Sequence, residues 1–186
     1  MAIDVLVAYA TKHGSTEEVA EAVAEELKGL GLEVELRELR KVRDLDGYRS
    51  VVIGAPLYMG RWHSDARKFM KRHGKALEEL PLAVFALGPL KLTEEDVAGS
   101  RQQLDRALAL VPELRPATVE VFGGVIDPAK LRFPFNRMPK GDARDWDAIR
   151  AWARSLPGEL GGLPASGGAL GQRHGDRSGM PVPEDR

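Results

Sequence analysis

Apolar residues run along this chain in two alternating rhythms. One rhythm is short and nearly continuous: "IDVLVAY" (3–9), "SVVIGAPLY" (50–58), "PLAVFAL" (81–87) and "ATVEVFGGVI" (117–126). Such runs predict strands, and β-branched runs like the first two predict strands buried on both faces. "LEVELREL" (32–39) sets Leu32, Val34 and Leu36 against charges and reads as a strand nearer an edge. The other rhythm is helical. Val19, Val23, Leu27 and Leu30 recur at helical spacing until Gly31 stops them. Residues 64–80 place Ala66, Phe69, Met70, His73 and Leu77 on one face, and residues 94–111 do so with Val97, Leu104, Leu108 and Val111. The last helix, "RDWDAIRAWARSL" (144–156), turns Trp146, Ile149, Ala153 and Leu156 inward. "RKVRDLDGY" (40–48) is a turn or a short helical piece.

Strand and helix thus alternate five times, which predicts an α/β fold: a doubly wound, five-stranded parallel sheet with helices on both faces. Ligands of such sheets sit beyond the carboxyl ends of the strands, where strand order switches. Three loops therefore carry the functional information: 10–16, 55–63 and 88–93.

The first contains "TKHGST" (11–16). It matches neither G-x-x-x-x-G-K-[ST] nor G-x-G-x-x-G, but its parts suit a phosphate. Gly14 lets the backbone turn so that successive N–H groups face one way. The helix that follows adds unpaired N–H groups and the positive end of its dipole, and Thr11, Ser15 and Thr16 bring hydroxyls. The plain alternative is a helix start capped by Ser15 or Thr16. In "APLYMGRWHS" (55–64), Pro56 ends the regular ladder, Gly60 permits a sharp turn, and Tyr58, Met59 and Trp62 crowd a crest where a flat ring could lie. Trp62 has a second reading, packing down on the helix behind it, and Ser64 is the expected cap of that helix. In "LGPLKLTEED" (87–96), Gly88 and Pro89 end a strand and bare the backbone, Leu90 can flank a ring edge, and Thr93 with Asp96 is close to a capping box.

Composition narrows the chemistry. A net charge of -1 gives no field for nucleic acid. No cysteine is present, which excludes disulfides, cysteine-held iron–sulfur clusters and thiol catalysis. The four histidines show no metal-ligand spacing, so no metal is expected. The cations of 67–75 read as a solvated helix face. No leader pattern and no apolar run of about 18 residues occurs, so the expected place is the cytoplasm. Residues 157–186 are rich in Gly and Pro without apolar periodicity and are expected to be a disordered tail.

These motifs carry a resemblance. "T-x-H-G-S-T" resembles the flavodoxin phosphate motif Thr/Ser-x-Thr-Gly-x-Thr, with His13 in the place of a Thr. "VVIGAPLYMGRWHSDARKFMKRH" resembles the flavodoxin-domain subfamily that includes bacterial menaquinone-dependent protoporphyrinogen IX dehydrogenase. "VFGGVIDPAKL" and "GDARDWDAIRAWA" are similar to flavodoxin-domain proteins common in actinobacteria. The resemblance spans roughly 3–156 and implies one flavodoxin-like domain over 1–156 with strand order 2-1-3-4-5. It implies noncovalent FMN, with phosphate on Thr11, Lys12, His13, Gly14, Ser15 and Thr16. The isoalloxazine would lie between Pro56, Leu57, Tyr58, Met59 and Gly60 on one side and Gly88, Pro89 and Leu90 on the other. It implies electron or hydride transfer through the flavin, which carries the redox chemistry itself, so no catalytic side chain is named.

An oxidoreductase acting on a small molecule, porphyrinogen included, and a one-electron shuttle both remain open. A flavin-free interaction module that kept the fold is the alternative from another class. The resembling dehydrogenase carries a longer insertion before its last helix. Here "DPAKLRFPFNRMPKGD" (127–142) is short and basic and holds Phe133 and Phe135. Weak or absent quinone-linked porphyrinogen oxidation and no stable membrane association are therefore expected. The redox partner and the oligomeric state stay open.

Overall fold

The structure, a computed structural model, describes residues 2–163. Its elements in chain order are β1 (Val5–Tyr9), α1 (Ser15–Gly29), β2 (Val34–Glu38), β3 (Val51–Tyr58), β4 (Arg61–Trp62), α2 (Ser64–Glu78), β5 (Leu82–Leu87), α3 (Glu94–Leu108), β6 (Thr118–Phe122), β7 (Val125–Ile126), β8 (Gly141–Asp142) and α4 (Trp146–Glu159). Short 3-10 turns lie at Leu39–Lys41, Pro128–Lys130 and Phe135–Arg137.

The main sheet runs β2-β1-β3-β5-β6 with every pair parallel, the doubly wound order expected of five parallel strands. Alternate residues of each central strand face opposite layers. Val5, Val7, Val52, Ala83 and Phe85 pack on α1 and α4 through Val19, Val23, Leu27, Ile149, Trp152 and Leu156. Leu6, Ala8, Val51, Ile53, Val84 and Ala86 pack on the α2 and α3 side with Phe69, Met70, Leu77 and Leu104. Burial on both faces explains why these strands read as unbroken apolar runs. At the β6 edge, Arg101 of α3 donates to the Val119 carbonyl at 3.1 Å.

Four features differ from the sequence reading. The parallel ladder of β3 ends at the Pro56–Leu87 pair, as expected of the proline, but the strand then continues as an unforeseen hairpin with β4, pairing Leu57 with Trp62 and Tyr58 with Arg61. The fifth run breaks at Gly123–Gly124, and β7 pairs with β8 instead of extending β6. Leu30 is exposed, because α1 ends at Gly29 and the chain turns at Gly31, whose φ is 84°. The last helix runs beyond Leu156 through Pro157. A proline in a final turn forfeits one backbone bond, and here the fully buried Leu156 and the 2% exposed Leu160 outweigh that loss. The tail expectation for 164–186 falls outside the described residues.

Candidate functional site at the carboxyl edge of the sheet

The three loops meet at one edge because the strands before them are neighbours. The Ala10 N–H donates to Gly54 O at 2.9 Å, and the Pro56–Leu87 pair sets the second and third loops side by side.

In the first loop the helix cap is neither Ser15 nor Thr16. It is Gly14, at φ 92°, with no side-chain cap on α1. The left-handed glycine shifts the cap one residue early and leaves the first-turn N–H groups without a side-chain acceptor. The Thr11 hydroxyl accepts from the Gly14 N–H at 2.9 Å, which folds the loop back on itself. Thr16 is fully buried, and its Oγ1 has no hydrogen-bond partner. An orphaned buried hydroxyl is destabilising. Its position in the first turn, beside uncapped N–H groups, is a donor set that fits a phosphate ester.

The second loop is a two-residue turn at Met59–Gly60, with φ 48° and 76°. Two positive values are what a tight hairpin needs to follow the strand twist. Met59 stands 91% exposed, and Tyr58 is partly exposed below it. Trp62 is no part of a ring wall. It is 1% exposed, and its indole donates to the Ala55 carbonyl at 2.9 Å. His63, not Ser64, caps α2: its Nδ1 accepts from the Asp65 N–H at 3.2 Å. Burial holds the His63 pKa below the ordinary histidine value, against the pull of Asp65. Leu57 packs down against the core.

The third loop is less bare than its residues suggest. The Gly88 N–H donates to Phe122 O at 2.8 Å, and the Gly124 N–H donates to Pro89 O at 2.8 Å. A Cβ on Gly124 would lie 2.3 Å from Gly88 O, so this close approach requires glycine. Leu90 is exposed at the rim.

Side chains join the first two loops directly. The His13 ring meets Tyr58 edge-on at 6.3 Å, and Lys12 Nζ lies 5.5 Å from the centre of the same ring. The His13 pKa is lowered by burial first, then by Lys12 and Lys130, with Asp127 opposing. Burial raises that of Tyr58.

Two cations from the segment between β6 and α4 also reach this edge, and sequence reasoning gave neither a role in the loop. Lys130 Nζ donates to His13 O at 3.0 Å. Arg144 donates to Ser15 O at 3.3 Å, to Glu18 Oε2 at 2.6 Å and to Asp142 Oδ2 at 2.6 Å. Its guanidinium lies 4.7 Å from the Trp146 ring centre, and its side chain is 8% exposed. The hydrogen bond from Arg144 holds the Asp142 carboxyl below its usual range. Contacts this distant in sequence leave no periodic trace; the Gly123–Gly124 pair was the only local hint of a close approach. Further along the same segment Phe133 and Phe135 are exposed, with Arg137 5.3 Å from the Phe133 ring centre.

Comparison with known proteins adds a lineage to this geometry. The family profile described as "Flavodoxin domain" matches residues 6–138. The chain belongs to the flavodoxin-domain family. Within reach of that family, it is 28% identical over 168 residues to protoporphyrinogen IX dehydrogenase [quinone] of Escherichia coli, covering 81% of this chain and 93% of the relative. Among solved structures, oxidised flavodoxin 1 from Bacillus cereus superposes with a TM-score of 0.56 at 15% identity, covering 84% of this chain and 99% of that one. Oxidised flavodoxin 2 from the same species does so with 0.55 at 18% identity and the same coverage. These likenesses support the flavodoxin-like fold. Among the described residues no helix is long and apolar enough to cross a membrane.

Proposed function

We propose that this flavodoxin-domain protein binds FMN noncovalently and passes electrons or hydride through it. The observation that carries the reading is the start of α1: a left-handed glycine cap, no side-chain cap, and the buried unpartnered hydroxyl of Thr16. When bound, FMN supplies the redox chemistry. The chain supplies position and charge. The α1 N-terminus neutralises the phosphate. Thr11, which accepts from Gly14, keeps its own O–H to donate. Thr16 gains an acceptor. Tyr58, Met59 and Leu90 offer apolar surface for the rings, and the Met59–Gly60 turn offers backbone at the crest. Lys130 and Arg144 hold the loop by its carbonyls and do not take the place of the anion.

The test is the absorption spectrum of the purified protein with identification of released flavin, followed by FMN titration of the apoprotein. A colourless protein that takes up no FMN sinks this reading and favours a flavin-free interaction module. The contact of Lys12 and His13 with Tyr58 speaks for that second reading, because it joins the loops without a ligand between them.

The electron-donor side rests on the basic segment beside the phosphate loop. Its exposed rings and cations suit a flat anionic substrate, and the name of the Escherichia coli relative points to porphyrinogen. The shortness of the segment favours weak turnover, or a shuttle in its place. An anaerobic assay with protoporphyrinogen and a menaquinone analogue, comparing wild type with Arg132→Ala/Arg137→Ala, separates the two. Robust turnover that the double substitution abolishes makes this segment the substrate site.

A further inference from the structure

Cations gather beyond the carboxyl ends of three neighbouring strands, β2, β1 and β3. Arg40 lies in the 3-10 turn after β2, Arg61 on β4, and Lys68 and Arg72 on α2. Lys12 joins them from the loop after β1, over the Tyr58 ring. Arg40, Lys68 and Arg72 line one shallow cleft over Phe69. Lys12, Arg40 and Arg67 all act electrostatically on His63, at the foot of the β3–β4 hairpin. Arg40 is offset in part by Asp65 at 3.4 Å. Arg61, Lys68 and Arg72 have no ion pair among the described residues. The tip of the hairpin is Met59, the most exposed large apolar residue of the described chain. We propose that this collar of cations around an apolar tip is the docking surface for an acidic one-electron carrier protein, which takes electrons from the bound flavin.

The inference rests on the FMN reading above and adds a partner to it. The basic segment after β7 is offered there to the electron donor, and the hairpin crest is left for the acceptor. Two-electron-reduced flavin is oxidised by two carrier molecules, each gaining one electron, and the flavin's protons pass to water. The charge is local. α1 carries five acids and one lysine, α2 carries five cations and two acids, and the two helices cover opposite faces of the sheet. The net charge of -1 therefore conceals a dipole, and a negative partner is drawn to the α2 side alone. A small anion is a poor occupant: the cleft holds about 70 Å³, against roughly 300 Å³ or more for a small-molecule site. A nucleic acid is a poor occupant too, since a protein of net charge -1 gains little from the phosphate backbone and the Met59 tip has no use against it. An apolar centre inside a charged rim is the usual anatomy of a protein interface.

The experiment is anaerobic stopped-flow oxidation of the reduced, FMN-loaded protein by oxidised plastocyanin, an acidic blue-copper protein used as the probe, followed by loss of its blue colour. Binding to immobilised plastocyanin is measured alongside, with and without FMN. Between about 0.02 and 0.3 M ionic strength both the rate and the affinity are expected to fall roughly tenfold or more. Two bodies of net negative charge would show the opposite slope, so the sign reports the collar. Arg61→Glu/Lys68→Glu should slow the reaction about tenfold or more at low salt, with flavin content, melting temperature and oxidation by neutral benzoquinone unchanged. Arg61→Gln/Lys68→Gln should show a smaller loss in the same direction and stands in if the reversed protein folds poorly. Arg106→Glu/Arg115→Glu makes the same change in net charge at the opposite edge of the sheet and should have little effect. A rate that is flat or rises with salt overturns the proposal, as do equal losses from the collar and the distant pair. Self-association in sedimentation that the collar reversal abolishes assigns the surface to a second copy and also overturns it. Collar-dependent binding by a protein that takes up no FMN sinks the cofactor reading and keeps the docking surface. FMN uptake without such binding sinks this inference alone.

Discussion

The loop at 10–16 and the segment at 127–144 touch through Lys130 and Arg144, yet they are held in opposite ways. The loop is bound from beneath: Ala10 and Thr16 are buried, and Gly14 sets the path of the chain. The segment is bound at its ends. The Gly123–Gly124 step, the small β7–β8 pair and Arg144 anchor it, while Phe133 at 71% and Phe135 at 50% exposure stand free between. A frame built from backbone and a buried helix start has little freedom to adapt, which suits one fixed ligand group. A strap of cations and exposed rings makes no demand on its own interior, which suits a partner supplied from outside.

Four variants bear on that contrast. The largest stability effect is expected at the root of the strap. A Cβ on Gly123 would lie 1.9 Å from Ala143 O, a backbone atom with no room to yield. Gly123→Ala should cost about 1–3 kcal/mol and lower the melting temperature by several degrees; an unchanged melting curve would mean that the strap is not anchored there. Gly14→Ala comes next. It meets open space, so only the positive φ resists it. A loss of about 1–2 kcal/mol, read by denaturant titration, would show that backbone path and not packing fixes the loop.

Thr16→Val is expected to act with two signs. Without cofactor it removes an unpaired buried hydroxyl and should leave stability equal or raised by up to ~1 kcal/mol. FMN affinity should fall about tenfold or more. A destabilised apoprotein with normal FMN affinity would sink the assignment of this hydroxyl to phosphate. The smallest effect is expected from Phe133→Ser/Phe135→Ser, within about 0.5 kcal/mol of wild type. A large drop in melting temperature would show these rings to be structural and erase the contrast with the loop.

The central strands were legible because burial on both faces writes itself as unbroken apolar sequence. The helices were legible by period, to within a few residues at their ends. Caps were legible in part: Thr93 caps α3 and accepts from the Asp96 N–H, as its capping-box pattern implied, but Gly14 and His63 displaced the expected Ser15, Thr16 and Ser64, because a cap is chosen by the backbone angles one residue ahead of the helix and hydroxyl content does not report those. The β3–β4 hairpin was hidden because Met59 occupies a left-handed turn position usually held by Asn, Asp or Gly. At the candidate site, the six-residue loop could be read locally. The grip of Lys130 on His13 joins residues 117 positions apart, and only the folded chain brings them together.

An open sheet carries a hazard at each side: unpaired carbonyls and N–H groups can recruit a strand from a neighbouring molecule. β6 is only five residues long, and the guanidinium of Arg101 sits on its Val119 carbonyl. A foreign strand laid along β6 would have to displace that guanidinium before it could complete a ladder. One arginine on the back of α3 therefore helps determine how the protein behaves in a crowded solution, where colloidal stability depends on keeping such edges from finding one another.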